Sequence, residues 1–288
     1  MYLDFFGLKQ RPFLPAPTID RYFPSACAEN GRVTLNRCVR RGEGIGLIVG
    51  PSGIGKTLLC NKLLTQFDSD YKSVFLKAGR LNSPDALIQS ILFQLDRPYR
   101  DMSENELRIE MQGALTDLDH ANVTLLLFID DAQGLTLRVL DELRTLINLG
   151  ETHRSVLRTV LAGTSLLEEH LGNPRLISLN QRVVARCYLE PFEKEETVGY
   201  IRSQIQIGRT RSLNPELFTD CACTAVHRAT GGIPRLINQL CDHALLFAFN
   251  AETGEVDEMF VEQAWADLQQ LPMPSYNRRA QSEANHSV

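Results

Sequence analysis

The stretch Gly44 to Thr57, GIGLIVGPSGIGKT, constrains this chain more than any other. Apolar β-formers run without a break into Gly50-Pro51-Ser52-Gly53-Ile54-Gly55-Lys56-Thr57, which matches the phosphate-binding pattern G-x-x-x-x-G-K-[ST]. The order implied is a buried strand, a phosphate loop and a helix start. A polyphosphate needs many donors converging on it, and backbone N–H groups supply them only where the chain can pass close by. Gly50, Gly53 and Gly55 lack Cβ and can take positive φ, so the loop can wrap an anion. Lys56 adds a point charge for the β- and γ-phosphates and Thr57 a hydroxyl for Mg²⁺. The helix that follows, LLCNKLLTQF, aims its N-terminal dipole at the same place. Gly50, Pro51, Ser52, Gly53, Ile54, Gly55, Lys56, Thr57 and Leu58 are therefore the expected nucleotide contacts.

The 288 residues suffice for one large or two modest domains, and 43% hydrophobic with 23% charged residues is ordinary for a globular protein. A formal net charge of −5 argues against a generally basic nucleic-acid binder and leaves only a local patch open. No apolar run approaches the roughly 18 residues that span a bilayer, and MYLDFFGLKQRPF lacks the layout of a signal peptide. A cytoplasmic chain with no transmembrane segment is expected. Seven cysteines without regular spacing fit reduced thiols, and Cys221-x-Cys223 has no second pair at metal-ligand distance in sequence.

Residues 1 to about 30 are rich in aromatics and prolines, a composition that fits a strap packing through its rings better than a regular helix. A helix from about Cys27 to Arg41 leads to the phosphate-loop strand, and its basic end, Arg37, Arg40 and Arg41, reads first as a solvated face. After the loop helix come the strand SVFLKAG, a helix opened by Ser83-Pro84-Asp85, and a helix opened by the capping box Ser103-x-x-Glu106. Val123 to Ile129, VTLLLFI, has the unbroken apolar run of a strand covered on both faces and ends in Asp130-Asp131-Ala132-Gln133. A helix with Leu140, Leu143, Leu146 and Ile147 on one stripe follows. The strand SVLRTVLAG stops at Gly163-Thr164-Ser165, and a fifth strand is expected over Arg186 to Leu189.

Strands alternating with helices imply a mostly parallel sheet of five strands, covered by helices, in an α/β domain of residues 1–191 that includes the N-terminal strap. From Glu193 the pattern is helical only, with helices expected near 193–207, 215–229, 234–249 and 257–270. These make an all-helical domain of 192–271, followed by a polar tail, 272–288, read as disordered.

The strand ending in Asp130 is where a P-loop nucleotide hydrolase puts its Mg²⁺ carboxylate, so Thr57 and Asp130 are the expected metal ligands. Asp131 is the candidate for polarising the attacking water, with a helix N-cap as its structural alternative.

GPSGIGKT, LLLFIDDAQ, VLAGTSLL, SLNQRVVARCYLEPF and GGIPRLINQLCDHAL, in this order and with a helical lid, resemble the AAA+ ATPases of the ExeA or general secretion pathway protein A family. The opening MYLDFFGLKQRPF is similar to that family's start, and the resemblance covers about residues 1–270. It implies a P-loop NTPase of the AAA+ type that binds ATP and Mg²⁺, hydrolyses the nucleotide, and couples the cycle to lid and subunit motion. Carried over residue by residue, Lys56 and Thr57 are the P-loop pair and Asp130 and Asp131 the Walker B positions. Thr164 falls where the family has a polar sensor, usually glutamine, and Arg235 matches the lid arginine for the γ-phosphate. Arg182, and less closely Arg186, fall where an arginine acts on a neighbouring subunit's nucleotide, with a surface ion pair as the alternative for Arg182.

The resemblance implies a homo-oligomer and a protein partner in a secretion or pilus-like complex. Two departures stand out. Asp131 replaces the usual glutamate and is one methylene shorter, which predicts slow hydrolysis since about 1 Å of misplacement can cost roughly a hundredfold. Related secretion proteins also carry a membrane span and a peptidoglycan-binding region that are not found here. Two rival readings remain, a DNA-associated ATPase similar to transposition regulators and a nucleotide-dependent scaffold that turns ATP over slowly.

Overall fold

The computed structural model describes residues 2–149, 156–209 and 217–270. In chain order the elements are α1 Tyr2–Phe5, α2 Ala26–Arg41, β1 Ile45–Val49, α3 Lys56–Leu64, β2 Tyr71–Lys77, α4 Pro84–Gln94, α5 Glu104–His120, β3 Thr124–Asp130 and α6 Leu137–Leu149. They continue as β4 Leu157–Gly163, α7 Ser165–Leu171, α8 Ile177–Asn180, β5 Val183–Tyr188, α9 Lys194–Gly208, α10 Asp220–Thr230, α11 Pro234–Asn250 and α12 Glu258–Leu268. The chain divides into two units, one of Thr18–Glu190 and one joining the residues up to Pro17 to those from Pro191 onward.

The first unit is built on a five-stranded sheet of order β2-β3-β4-β1-β5 in which every pairing is parallel. β1, β3 and β4 are buried along their whole length, as central strands with both faces covered must be. On one face Leu35, Cys38 and Val39 of α2 and Leu59, Cys60 and Leu63 of α3 pack with Ile48, Phe128 and Val160. On the other, apolar residues of α4 to α8 pack with Leu47, Leu127 and Leu161. The helix starts follow their sequence signals. Ser83 caps α4 with Pro84 at its first position, and Ser103 and Glu106 form the reciprocal capping box of α5.

β5 begins at Val183, three residues before the expected start, and its side chains alternate between buried and exposed. It is an edge strand with one covered face, so it lacks the continuous apolar run that marks its neighbours.

In the second unit α10 packs on α9 and α12, and α11 on α12. α10 starts at Asp220, where the Thr219 side chain accepts from the Ala222 N–H, rather than near residue 215. Residues 215 and 216 and the tail 272–288 lie outside the described residues.

The strap divides between the units: residues up to Pro17 belong to this second unit and not, as expected, to the α/β domain, while those from Thr18 stay with the α/β unit. The Phe5 ring stands edge-on to Phe249, and Phe13, only 1% exposed, edge-on to Phe218. The Tyr2 hydroxyl donates to Asp242 Oδ1 at 2.8 Å and Arg11 reaches both oxygens of the same carboxylate, at 3.3 and 2.5 Å. Asn238 of α11 donates to the Leu14 carbonyl while its own Oδ1 accepts from Tyr200. These rings and polar groups find their counterparts on α11 and at Phe218, which is what draws the residues up to Pro17 to the helical unit.

Candidate nucleotide site

Five buried residues of β1 carry the chain to Gly50 at the sheet's C-terminal edge, where a Cβ would lie 2.7 Å from the Leu189 carbonyl oxygen. Gly53 (φ 81°) and Gly55 (φ 108°) then take backbone conformations that side chains disfavour. The loop folds back so that Lys56 Nζ donates to the carbonyls of Gly50 and Pro51, both at 2.9 Å. The first α-helical hydrogen bond of α3 runs from Leu59 N–H to the Gly55 carbonyl. The N–H groups of Thr57 and Leu58 lie in the first turn of α3, ahead of that bond, where backbone donors face an incoming anion.

β3 delivers Asp130 beside this helix start. Its carboxylate is 2% exposed and both oxygens are engaged, Oδ2 accepting from the Thr57 hydroxyl at 2.5 Å and Oδ1 from the Asp131 N–H at 3.0 Å. Two hard oxygen donors converge here, and among the described residues no group of three or more His, Cys, Asp or Glu could hold a metal by itself. That donor set fits Mg²⁺, which takes one or two protein oxygens and completes its shell with phosphate and water.

Asp131 is exposed, with left-handed backbone (φ 53°, ψ 33°), and its side chain makes no capping bond to the short turn it precedes. The N-cap alternative therefore does not describe it. Its carboxylate accepts instead from Gln133 Nε2 at 3.5 Å, and Gln133 Oε1 accepts from the Thr164 N–H at 3.2 Å. Thr164 follows the last residue of β4 and precedes α7, without a side-chain cap bond. The structure thus joins Lys56, Thr57, Asp130, Asp131 and Thr164 at one edge of the sheet and adds Gln133, whose role the motif DDAQ does not disclose. Only its spacing from Asp131 was visible beforehand, because its second partner lies across a strand boundary.

Arg182 stands elsewhere. Its carbonyl accepts from the Ile45 N–H at the start of β1, which puts it one strand length, roughly 16 Å, from Gly50. Its guanidinium donates to Asn148 Oδ1 at 2.6 Å. Arg186, on the exposed face of β5, donates to Asn180 Oδ1 and lies 3.7 Å from Glu168. Arg235 is exposed at the second position of α11 in the helical unit. The turn before it uses Gly231 (φ 57°) and Gly232 (φ 76°), and a Cβ on Gly232 would fall 2.1 Å from the Phe192 carbonyl oxygen.

Residues 39–171 match the family model for an AAA domain. General secretion pathway protein A of Aeromonas hydrophila is 33% identical over 251 residues, which is 86% of this chain and 45% of that protein. The chain thus spans somewhat under half the length of that relative. Among solved structures, Cdc6p of Pyrobaculum aerophilum superposes with a TM-score of 0.70 at 16% identity, covering 95% of this chain and 73% of that one. The ORC2 protein of Aeropyrum pernix, solved in ADPNP–ADP complexes, gives 0.66 at 15% identity, covering 89% and 69%. The RuvB Holliday junction branch migration motor of Thermotoga maritima gives 0.57 at 15%, covering 96% and 78%. With the parallel sheet, the loop and the Walker B strand, these findings identify a P-loop protein of the AAA+ class, with an AAA domain at 39–171, similar over most of its length to general secretion pathway protein A.

Proposed function

We propose that this chain is an ATPase that binds Mg-ATP on the loop from Gly50 to Leu58, hydrolyses it, and uses the cycle to assemble or remodel a larger complex of the secretion or pilus kind. The observation that carries the reading is the 2.5 Å contact between the Thr57 hydroxyl and Asp130 directly behind a loop that holds Lys56. When bound, Mg²⁺ neutralises charge on the β- and γ-phosphate oxygens. The loop N–H groups and Lys56 orient the phosphate chain, and Thr57 and Asp130 hold the cation. Asp131, one residue further and exposed, polarises the attacking water. Thr164 acts as the polar sensor at the neighbouring strand end, and Arg235 offers a guanidinium for the γ-phosphate. Arg182 lies a strand length from its own loop and is assigned to a second copy's nucleotide, so the active form is an oligomer.

The test is steady-state phosphate release with Mg-ATP across protein concentration, beside a Lys56→Ala control. A rate per subunit that rises with concentration and vanishes in the control supports an oligomeric ATPase. ATP binding without release above the control overturns it in favour of a nucleotide-dependent scaffold.

A second reading, a DNA-associated ATPase, has one observation of its own. Arg32, Arg37, Arg40 and Arg41 of α2 line a groove of about 430 Å³ with Val33, Asn36 and Gln66, Arg32 being paired with Glu29 at 2.6 Å and Arg41 with Glu43 at 3.3 Å. Arg40 is held there by Asn36 Oδ1, the Gln66 carbonyl and the Phe67 ring. A Drosophila ORC structure, 18% identical, was solved bound to DNA. Stimulation of hydrolysis by duplex DNA that fades steeply with salt, and is lost in an Arg37→Glu/Arg40→Glu variant, would favour this reading.

A further inference from the structure

The geometry points to Gln133 as a positioning residue for Asp131, a strut between the ends of β3 and β4 that sets where the water-polarising carboxylate stands. The inference rests on the proposed role of Asp131. Among the described residues the Asp131 carboxylate has one hydrogen-bond partner, the Gln133 amide. The other end of that amide is fixed, with Oε1 on the Thr164 N–H at 3.2 Å. The fit at this end is close, since a Cβ on Gly163 would lie 2.9 Å from the same oxygen. The turn between the two carboxamide contacts is itself pinned, with Ala132 fully buried and the Gly134 N–H donating to the Asp131 carbonyl at 2.8 Å.

A carboxamide meets both demands at once. It accepts from a backbone N–H with its oxygen and donates to a carboxylate with its nitrogen. A glutamate in its place keeps the first bond, loses the second and sets a negative charge against Asp131. A methionine keeps the volume and loses both. The long 3.5 Å contact to Asp131 is of the kind that tightens when a reacting group is in place. A carboxylate with left-handed backbone and one flexible contact has several poses of similar energy, and the strut selects one of them. Displacement of Thr164 at the start of α7 would be passed to Asp131 through the same amide.

The experiment uses the full chain and compares wild type, Gln133→Met, Gln133→Glu, Asp131→Asn and the double variant Asp131→Asn/Gln133→Met. Each is assayed for Mg-ATP turnover, for direct binding of a fluorescent ATP analogue and for thermal midpoint. Expected are a kcat for Gln133→Met lowered 10- to 100-fold with KM and analogue affinity within about twofold of wild type, and a loss at least as large for Gln133→Glu. The double variant should be no slower than Asp131→Asn, because a strut has nothing left to position. A Gln133→Met chain that turns over at the wild-type rate while Asp131→Asn is dead overturns the inference and leaves the role of Asp131 standing. So does a double variant in which the two losses multiply. If Asp131→Asn hydrolyses normally, the role of Asp131 fails first and the strut with it. Should Gln133→Met fold poorly, the isosteric Gln133→Glu carries the same comparison.

Discussion

At Asp131 the backbone turns left-handed, which aspartate tolerates better than most residues, and the carboxylate reaches one methylene less far than glutamate would. If reach limits the wild-type rate, Asp131→Glu should speed phosphate release roughly tenfold, a change well within what about 1 Å of placement is worth. Unchanged turnover would mark the chain as a scaffold that holds ATP. The cysteines give a second residue-level prediction. Burial pushes the Cys38 thiol up to about 11 and Cys187 up to about 12, and holds Cys60 and Cys241 well above the ordinary thiol range, while Cys221 is exposed. A thiol reagent at pH 8 should label Cys221 quickly, the half-buried Cys27 more slowly, and the buried thiols only after denaturation. Because the folded-state values lie above the unfolded ones, these thiols withdraw stability only as pH rises past about 9. The loop and Asp130 were legible in the sequence because their chemistry is local, written as glycines at fixed spacing and an acid closing an apolar run. Gln133 was not, since its function depends on the Thr164 backbone 31 residues away.

At the scale of elements, capping boxes and prolines located α4 and α5 closely, whereas β5 and α10 were misplaced for identifiable reasons. An edge strand that shows Val184, Arg186 and Tyr188 to solvent alternates like an ordinary half-exposed segment. The start of α10 is set by Thr219, whose side chain accepts from the Ala222 N–H, rather than near residue 215. The strap was legible as aromatic packing but not as to destination, because ring burial is non-directional and its partners lie in distant helices. Phe13→Ala should therefore cost about 3–5 kcal/mol, and the cost should fall on the helical unit. Trp265, the single tryptophan, lies in α12 and reports on that unit. Its fluorescence transition should move to lower denaturant in Phe13→Ala while ATP-analogue binding at low denaturant persists. A transition that does not move would mean that the ring contributes little to the helical unit.

For the whole molecule, the proposed role of Arg182 on a second copy's nucleotide would make hydrolysis a property of neighbours. Lys56→Ala and Arg182→Ala chains should each be inactive alone, and mixing them should restore part of the activity, since one supplies the arginine and the other the intact loop. A mixture as inactive as its parts would place Arg182 in a purely structural role beside Asn148. The closure of the helical unit around both ends of the described chain has a further consequence, for how the protein is made. Tyr2 and its acceptor Asp242 are 240 residues apart, and the whole Thr18–Glu190 unit is synthesised between them. On the ribosome that unit can fold while Phe5 and Phe13 still lack Phe249 and Phe218. The nascent chain thus carries an exposed aromatic segment until α11 emerges, a window in which a chaperone can bind it or a second copy can capture it by exchanging straps.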